Sequence, residues 1–374
     1  MKTWRLLIAA VVASLIWVAP AVAAPNYQTA AYTLASTDDD KLVVLGGNAQ
    51  YALTIGAPST YPDGFHAEVI NQDPARGKTI VGVGSNFILY PLNRLQVDVL
   101  QGVIYVTPLV QRNVTAAGVT LHVNPDYGND ANDGLSGGCT TVPDCYAFQH
   151  IQTAVNLCEK FVDFGCSIQL DDSQDYSEAV NITRLAFGNT AIYITGDLAN
   201  PSAVYVTAPS GQNVFSVQDG AIAIIQGIES SAFGGGSVLN ARQGSIADLG
   251  TMIFGQAIGG SQVSASSGGR INFIGNAVIL NSAGSFAYAS GIGSSVTFGS
   301  GIALTINEPY PITFSAAFVE ASDGAEVVGG ATIMTGSTVI GCDALASVGG
   351  QVRKNGSVFP GPSGDNNSGG YITP

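Results

Sequence analysis

Between Asn124 and Gly138 the chain reads NPDYGNDANDGLSGG, with four Asn or Asp side chains between Gly128 and Gly134. Oxygen-rich runs of this kind can ligate calcium, and glycine-rich ones can cradle a phosphate. Read as a calcium loop from Asn129, positions 1, 3 and 5 hold Asn129, Ala131 and Asp133, so the middle ligand is missing. No lysine follows at P-loop spacing, which removes the phosphate reading. Calcium remains the one cofactor the loop admits, and no metal is required. The five cysteines offer little to zinc: Cys139 and Cys145, then Cys158 and Cys166, miss the CxxC spacing, and only His150 is near. In an exported chain near neighbours tend to pair, which favours Cys139–Cys145 and Cys158–Cys166 among the three connectivities four cysteines permit and leaves Cys342 over.

Acids late in the chain are the other reactive group. A glycosidase needs two carboxylates about 5 to 9.5 Å apart. Glu320, Glu326 and Asp343 are the candidate catalytic acids, whereas Asp219 and Asp323 each precede a glycine and read as turn residues. A lyase also needs a basic side chain to remove a proton. Residues 200–350 hold eight acids, no Lys, no His and only Arg242 and Arg270, so lyase chemistry is poorly supplied.

The elements that would position these residues start with a leader. Lys2 and Arg5 precede an apolar run from Leu6 to Val18 and small residues at 21–24, the layout of a signal peptide over 1–23. No later stretch approaches the roughly 20 apolar residues of a membrane span, so no membrane insertion is expected and the mature chain is secreted, periplasmic or on the cell surface. Without Lys2 and Arg5 the formal charge is 11 − 27 = −16, which repels nucleic acid.

A repeat decides the fold class. VFSVQDGAIAI (214–224), VLNARQGSIADL (238–249), QVSASSGGRINF (262–273) and FAYASGIGSSVTF (286–298) each pass from an alternating run through a glycine turn into another. Aligned on Val217, Ala241, Ala265 and Ala289 the step is 24 residues, and fainter copies align on Ala321 and Ala346. Alternation means strands, and at about 3.3 Å per residue such a unit traces a path of roughly 80 Å, enough for three short strands with their turns. The expected fold is all-β: a right-handed parallel β-helix of about eight coils over 167–354, with extra residues around 307–314 as a side loop and a flexible tail over 355–374. If Val217 and its equivalents point inward, the preceding residues point out. That column, Ser216, Asn240, Ser264, Tyr288 and Glu320, is the candidate carbohydrate-binding face.

Residues 119–166 hold a strand, the Asn/Asp/Gly loop and one helix, in which Phe148, Ile151, Ala154, Val155 and Cys158 recur at helical spacing. Gly128 to Gly134, followed by Phe148, Ile151, Gln152, Ala154 and Val155 and then DYSEAVNI (175–182), resembles the opening segment of the pectin-lyase-like β-helix superfamily. The resemblance implies a helix covering the first coil and identifies a fold rather than a reaction. Residues 26–118 show seven short alternating runs between Gly, Pro and Asp turns, which suggests a small antiparallel sandwich or barrel. This module and the C-terminal tail are similar to parts of phage tail fibres and tailspikes, which implies a homotrimer.

The expected function is an exported β-helix protein that binds polysaccharide or forms part of an envelope or appendage. The alternatives are a glycoside hydrolase or lyase using the late acids, and a phage-derived tailspike-like depolymerase.

Overall fold

The computed structural model describes residues 25–374 except 48, 74–75, 83–86, 90–93, 110–118, 136–144, 160–165, 172–173, 184–190, 308–310, 331–332, 337, 363–364 and 368. The expected signal peptide and Cys139 lie outside the described residues. The chain divides into two compact units, Met1–Val114 and Thr115–Pro374.

Among the described residues of the first unit, nine strands make two sheets. One contains β1 (Asn26–Gln28), β3 (Lys41–Leu45), β5 (His66–Asn71), β8 (Arg94–Leu100) and β9 (Val103–Leu109); the other contains β2 (Tyr32–Thr33), β4 (Ala52–Thr54), β6 (Lys78–Val81) and β7 (Phe87–Leu89). The strands β1, β3 and β5 run parallel, as do β2, β4 and β6. Among the described residues only β5–β8, β8–β9 and β6–β7 are antiparallel. The expected antiparallel sandwich or barrel is therefore corrected to a mixed pair of sheets. Period-2 alternation is common to both kinds of ladder, so the hydrophobic pattern could not separate them. Chain order decides it: β1 to β6 alternate between the sheets instead of folding back as hairpins. Val43, Leu53, Val69, Ile80, Leu95 and Val97 are core residues of this unit.

A polar network is buried in the same unit. Lys78 and Asp73 are both fully buried, with Lys78 Nζ 2.6 Å from Asp73 Oδ2. The ammonium also donates to Ala49 O at 2.6 Å and Gly47 O at 3.1 Å, which satisfies its three protons. The Tyr51 ring lies 4.6 Å from Nζ. Burial, and then the Asp73 charge, pushes the Tyr51 phenol up to about 12.

In the second unit ten strands form one all-parallel sheet: Val119–Val123, Cys166–Leu170, Ile192–Thr195, Ile222–Gln226, Ile246–Leu249, Arg270–Phe273, Ser295–Phe298, Glu326–Val328, Gln351–Arg353 and Tyr371–Thr373. A 15-stranded sheet takes two further strands from each repeat; Leu239–Arg242 and Met252–Ala257, for example, flank Ile246–Leu249. With each strand parallel to its equivalent one repeat on, the unit is compatible with a parallel β-helix. The sequence alignment is also the strand register: Val217 pairs with Ala241, then Ala265, Ala289, Ala321 and Ala346 in turn. The turn into the ten-stranded sheet has two successive positive-φ residues in five repeats, Asp219–Gly220, Gln243–Gly244, Ser267–Gly268, Asp323–Gly324 and Val348–Gly349. Glycine takes the second of these left-handed positions each time.

Two expected segments differ from the structure. Within the side loop proposed at 307–314, residues 308–310 lie outside the described ones, but Ile312 to Phe314 already belong to the long strand Ile312–Ser322. The segment expected as a flexible tail contributes Asp365–Asn367 and Tyr371–Thr373 to the sheets, and Phe359 packs with its ring centroid 5.8 Å from Phe298 and 6.0 Å from Phe318. Three-residue strands among Gly and Pro are too short to show period 2.

Helix α1 (Ile151–Cys158) turns Ile151, Ala154, Val155 and Cys158 inward. Its Gln152 side chain accepts from Asn181 N at 2.6 Å and donates to Asn181 O at 3.0 Å, standing in for a neighbouring strand. Cys158 is bonded to Cys166, and Cys342 is a free thiol.

The Lys78→Met variant keeps the length of the side chain but leaves Asp73 charged in a buried site. It should cost roughly 3–5 kcal/mol, read by denaturant unfolding of the first unit. A Lys78→Met/Asp73→Leu double variant should recover much of that loss; an undiminished loss would contradict the assignment.

Candidate functional site

The Asn/Asp/Gly loop has its side chains committed to the protein itself. Asn124 Oδ1 accepts from Asp126 N and Tyr127 N at 3.1 and 2.9 Å. Asn129 Oδ1 accepts from Ala131 N, and Asp133 Oδ1 from Leu135 N. Asn132 Nδ2 donates to Cys145 O and Ala147 O, both at 2.9 Å. A Cβ on Gly134 would run into the Phe148 ring, which ties the last glycine to the aromatic residue of the helix motif. Among the described residues no three His, Cys, Asp or Glu side chains gather as metal ligands.

The loop also sets the start of α1. Asp130 Oδ1 accepts from Gln149 N and His150 N at 3.0 Å, while Oδ2 lies 2.6 Å from His150 Nδ1. Glu178 accepts from Ile151 N at 2.7 Å and Gln152 N at 3.0 Å, placing a carboxylate where helix amides lack partners. Burial pushes the Glu178 carboxyl up, and these two amides pull it back only in part. Tyr176 OH, buried, donates to Val123 O at 2.9 Å. The loop, the Phe-x-x-Ile-Gln helix and the Tyr-x-Glu strand are thus one hydrogen-bonded junction.

The candidate carbohydrate column is one file of paired residues on the 15-stranded sheet. Ser216 pairs with Asn240, Ser264 follows, then Tyr288 and Glu320. Accessibility varies along it: Asn240, Tyr288 and Glu320 are half-buried, but Ser216 and Ser264 are 7% and 8% exposed. Tyr288 OH lies 3.2 Å from Ser322 Oγ, and Ser285 Oγ donates to Glu320 Oε2 at 2.9 Å. A second file two residues on holds Gln218, Arg242, Ser266, Ser290 and Ser322, in which Arg242 donates to Gln218 Oε1.

The three candidate catalytic acids do not share a site. Glu320 faces outward on the 15-stranded sheet, whereas Glu326 starts a strand of the ten-stranded sheet and meets Arg353 Nε at 2.5 Å. Asp343 is 5% exposed, with Oδ2 2.5 Å from Lys354 Nζ. It occupies the corner position that Val214, Val238, Gln262, Phe286 and Phe318 fill in earlier repeats, all of them buried. The residue at that corner and the one after it both point inward, so strict alternation misplaces Asp343.

Two groupings escaped the sequence reading. On the first strands of the 15-stranded sheet, Asp175 pairs with Tyr205 and Tyr205 with Glu229. Burial alone pushes the Glu229 carboxyl up. The two carboxylate-bearing strands are separated by two strand spacings, about 9.5 Å. These early coils lie upstream of the clearest repeats, where spacing gave no common register. The other is a depression of ≈ 230 Å³ lined by Gln351, Arg353, Tyr371 and Thr373. Half of its lining comes from the segment expected to be a tail. Comparison with family models, curated proteins and solved structures brings no match to this chain.

The Asp130–His150 pair gives the junction a pH dependence. The bond to Asp130 raises the His150 imidazole above 6.5 against the effect of burial. Burial would push Asp130 up, but His150 outweighs it and the carboxyl sits below 3.8. A raised histidine stabilises the fold below its unfolded value and loses that as pH rises through the folded one; a lowered carboxyl loses its contribution as pH falls through its folded one. The Asp130–His150 pair should contribute most between about pH 4 and 6.5. Both groups are partly exposed, so screening holds the effect below about 1 kcal/mol. Thermal midpoints across pH should show a fall on the alkaline side that His150→Gln abolishes; an unchanged profile would contradict the pairing.

Proposed function

We propose that this chain is an exported polysaccharide-binding protein, built on a right-handed parallel β-helix of about eight coils with α1 covering its first coil, as in the pectin-lyase-like superfamily. The observation that carries the reading is the file from Ser216 through Asn240, Ser264 and Tyr288 to Glu320, whose accessible members Asn240, Tyr288 and Glu320 place hydrogen-bonding side chains along one sheet. Sugars are read by such groups together with aromatic rings. Binding is favoured over cleavage because Glu326 and Asp343 are engaged by Arg353 and Lys354.

Cleavage is the second reading, on one observation: Glu229 is a half-buried carboxyl pushed up by burial, with Asp175 two strands away. A raised carboxyl that protonates a leaving group and a second one activating water is the arrangement of an inverting glycosidase.

The test is to incubate the mature protein with a panel of polysaccharides, following both retention on immobilised protein and the size of the chains. Retained, unshortened chains are expected, and Asn240→Ala/Tyr288→Ala should weaken retention about tenfold if each contact contributes roughly 0.7 kcal/mol. Shortened chains that become intact with Glu229→Gln would replace binding by cleavage. A panel neither retained nor shortened would overturn both.

A further inference from the structure

We propose that the depression lined by Gln351, Arg353, Tyr371 and Thr373 is a subsite for a single neutral pyranose, so that the protein selects neutral over acidic glycans. This inference rests on the polysaccharide-binding reading. Gln351 pairs with Tyr371 and Arg353 with Thr373, placing four side chains in a square on one face of the ten-stranded sheet. The depression, ≈ 230 Å³, is below the roughly 300–1,000 Å³ of sites for drug-sized ligands, a scale that suits one ring rather than a run of sugars.

The lining suits a sugar. Tyr371 is 60% exposed, and an exposed aromatic ring can stack on the C–H side of a pyranose. The Gln351 amide and the Thr373 hydroxyl can each donate and accept, as sugar hydroxyls require. Arg353 is held on two sides, Nε against Glu326 at 2.5 Å and Nη2 donating to Gln351 Oε1 at 3.2 Å. The guanidinium is therefore fixed before any ligand arrives, with donors left over for hydroxyl oxygens.

Charge sets the class. Arg353 would be the natural anchor of a uronate or sulfate, but Glu326 already neutralises it. Lys354, the next cation along the chain, lies 2.5 Å from Asp343. The acidic mature chain, at 11 − 27 = −16, adds a repulsive field. A neutral ring meets the same donors and the same aromatic face without that repulsion.

Affinity electrophoresis of the mature protein in gels containing neutral glycans (glucan, galactomannan) or acidic ones (polygalacturonate, alginate) tests this. The wild type should be retarded by a neutral glycan and by neither acidic one. Tyr371→Ala should weaken that retardation about tenfold, and Glu326→Gln, which frees Arg353, should bring on retardation by polygalacturonate. Circular dichroism of each variant shows that it is folded. Retardation of the wild type by the acidic glycans, or an unchanged Tyr371→Ala, overturns the subsite. If Tyr371→Ala is unchanged while Asn240→Ala/Tyr288→Ala loses retardation, glycan binding stands and this subsite falls. No retardation by any glycan overturns both.

Discussion

Backbone packed directly on backbone at the corners of the repeat is the contact on which the second unit depends. A Cβ on Gly236 would run into Gln212 O, one on Gly260 into Gly236 O, and one on Gly284 would stand 3.0 Å from Gly260 O. The contact advances 24 residues each time, the same step as the hydrophobic alignment. Equivalent contacts recur at the other corners, where Gly269 faces Ala241 O and Gly275 faces the backbone of Gly250. Parallel strands need a spacing of about 4.8 Å to keep their ladders, and a side chain wedged between corners would splay the repeats apart. Glycine at these corners thus reflects stacking geometry, while at Gly220, Gly244, Gly268, Gly324 and Gly349 it serves the left-handed turn.

With the corners closed, the interior is filled by what the strands turn inward. Small and β-branched residues serve the earlier repeats, and aromatic rings take over later. Phe273 stacks on Phe298 at 4.8 Å, Phe286 on Phe318 at 5.0 Å, and Phe254 meets Phe286 edge-on at 5.4 Å. Phe359 extends this column, which is why the last residues are part of the fold. At the other end Glu178 and Gln152 pair with the main chain at Ile151, Gln152 and Asn181, so the loop, helix and strand are joined by hydrogen bonds. The loop residues Asp130, Asn132 and Asp133, whose oxygens the sequence offers to calcium, bind main-chain amides and carbonyls there, as Glu178 does.

What could be read from the sequence follows from periodicity. Val217, Ala241, Ala265 and Ala289 align in sequence because they pair in space, and the residues before them share a register for the same reason. Cys158 and Cys166 were legible from proximity, and the helix over 151–158 from its apolar spacing. Strand direction in the first unit was not, since Val43 and Val69 alternate identically in a parallel or an antiparallel ladder. Asp343 departs from strict alternation because two consecutive residues face inward at its corner, and Ser216 and Ser264 are less accessible than an outward position implies. Tyr371 and Arg353 come together only through the pairing of the terminal strands, which no period in the sequence marks.

The thermal midpoint of Gly260→Ala, measured beside Gly244→Ala, tests the corner contact most directly. Gly244 has φ +73° and nothing within 4 Å of an added Cβ, so its substitution should cost about 1 kcal/mol of backbone strain. The Cβ on Gly260 would instead meet the main chain of the adjacent repeat, where no side chain can yield. Gly260→Ala should therefore lower the midpoint by more than twice as much. A Gly260→Ala midpoint equal to or above that of Gly244→Ala would contradict the account of how the repeats are held together.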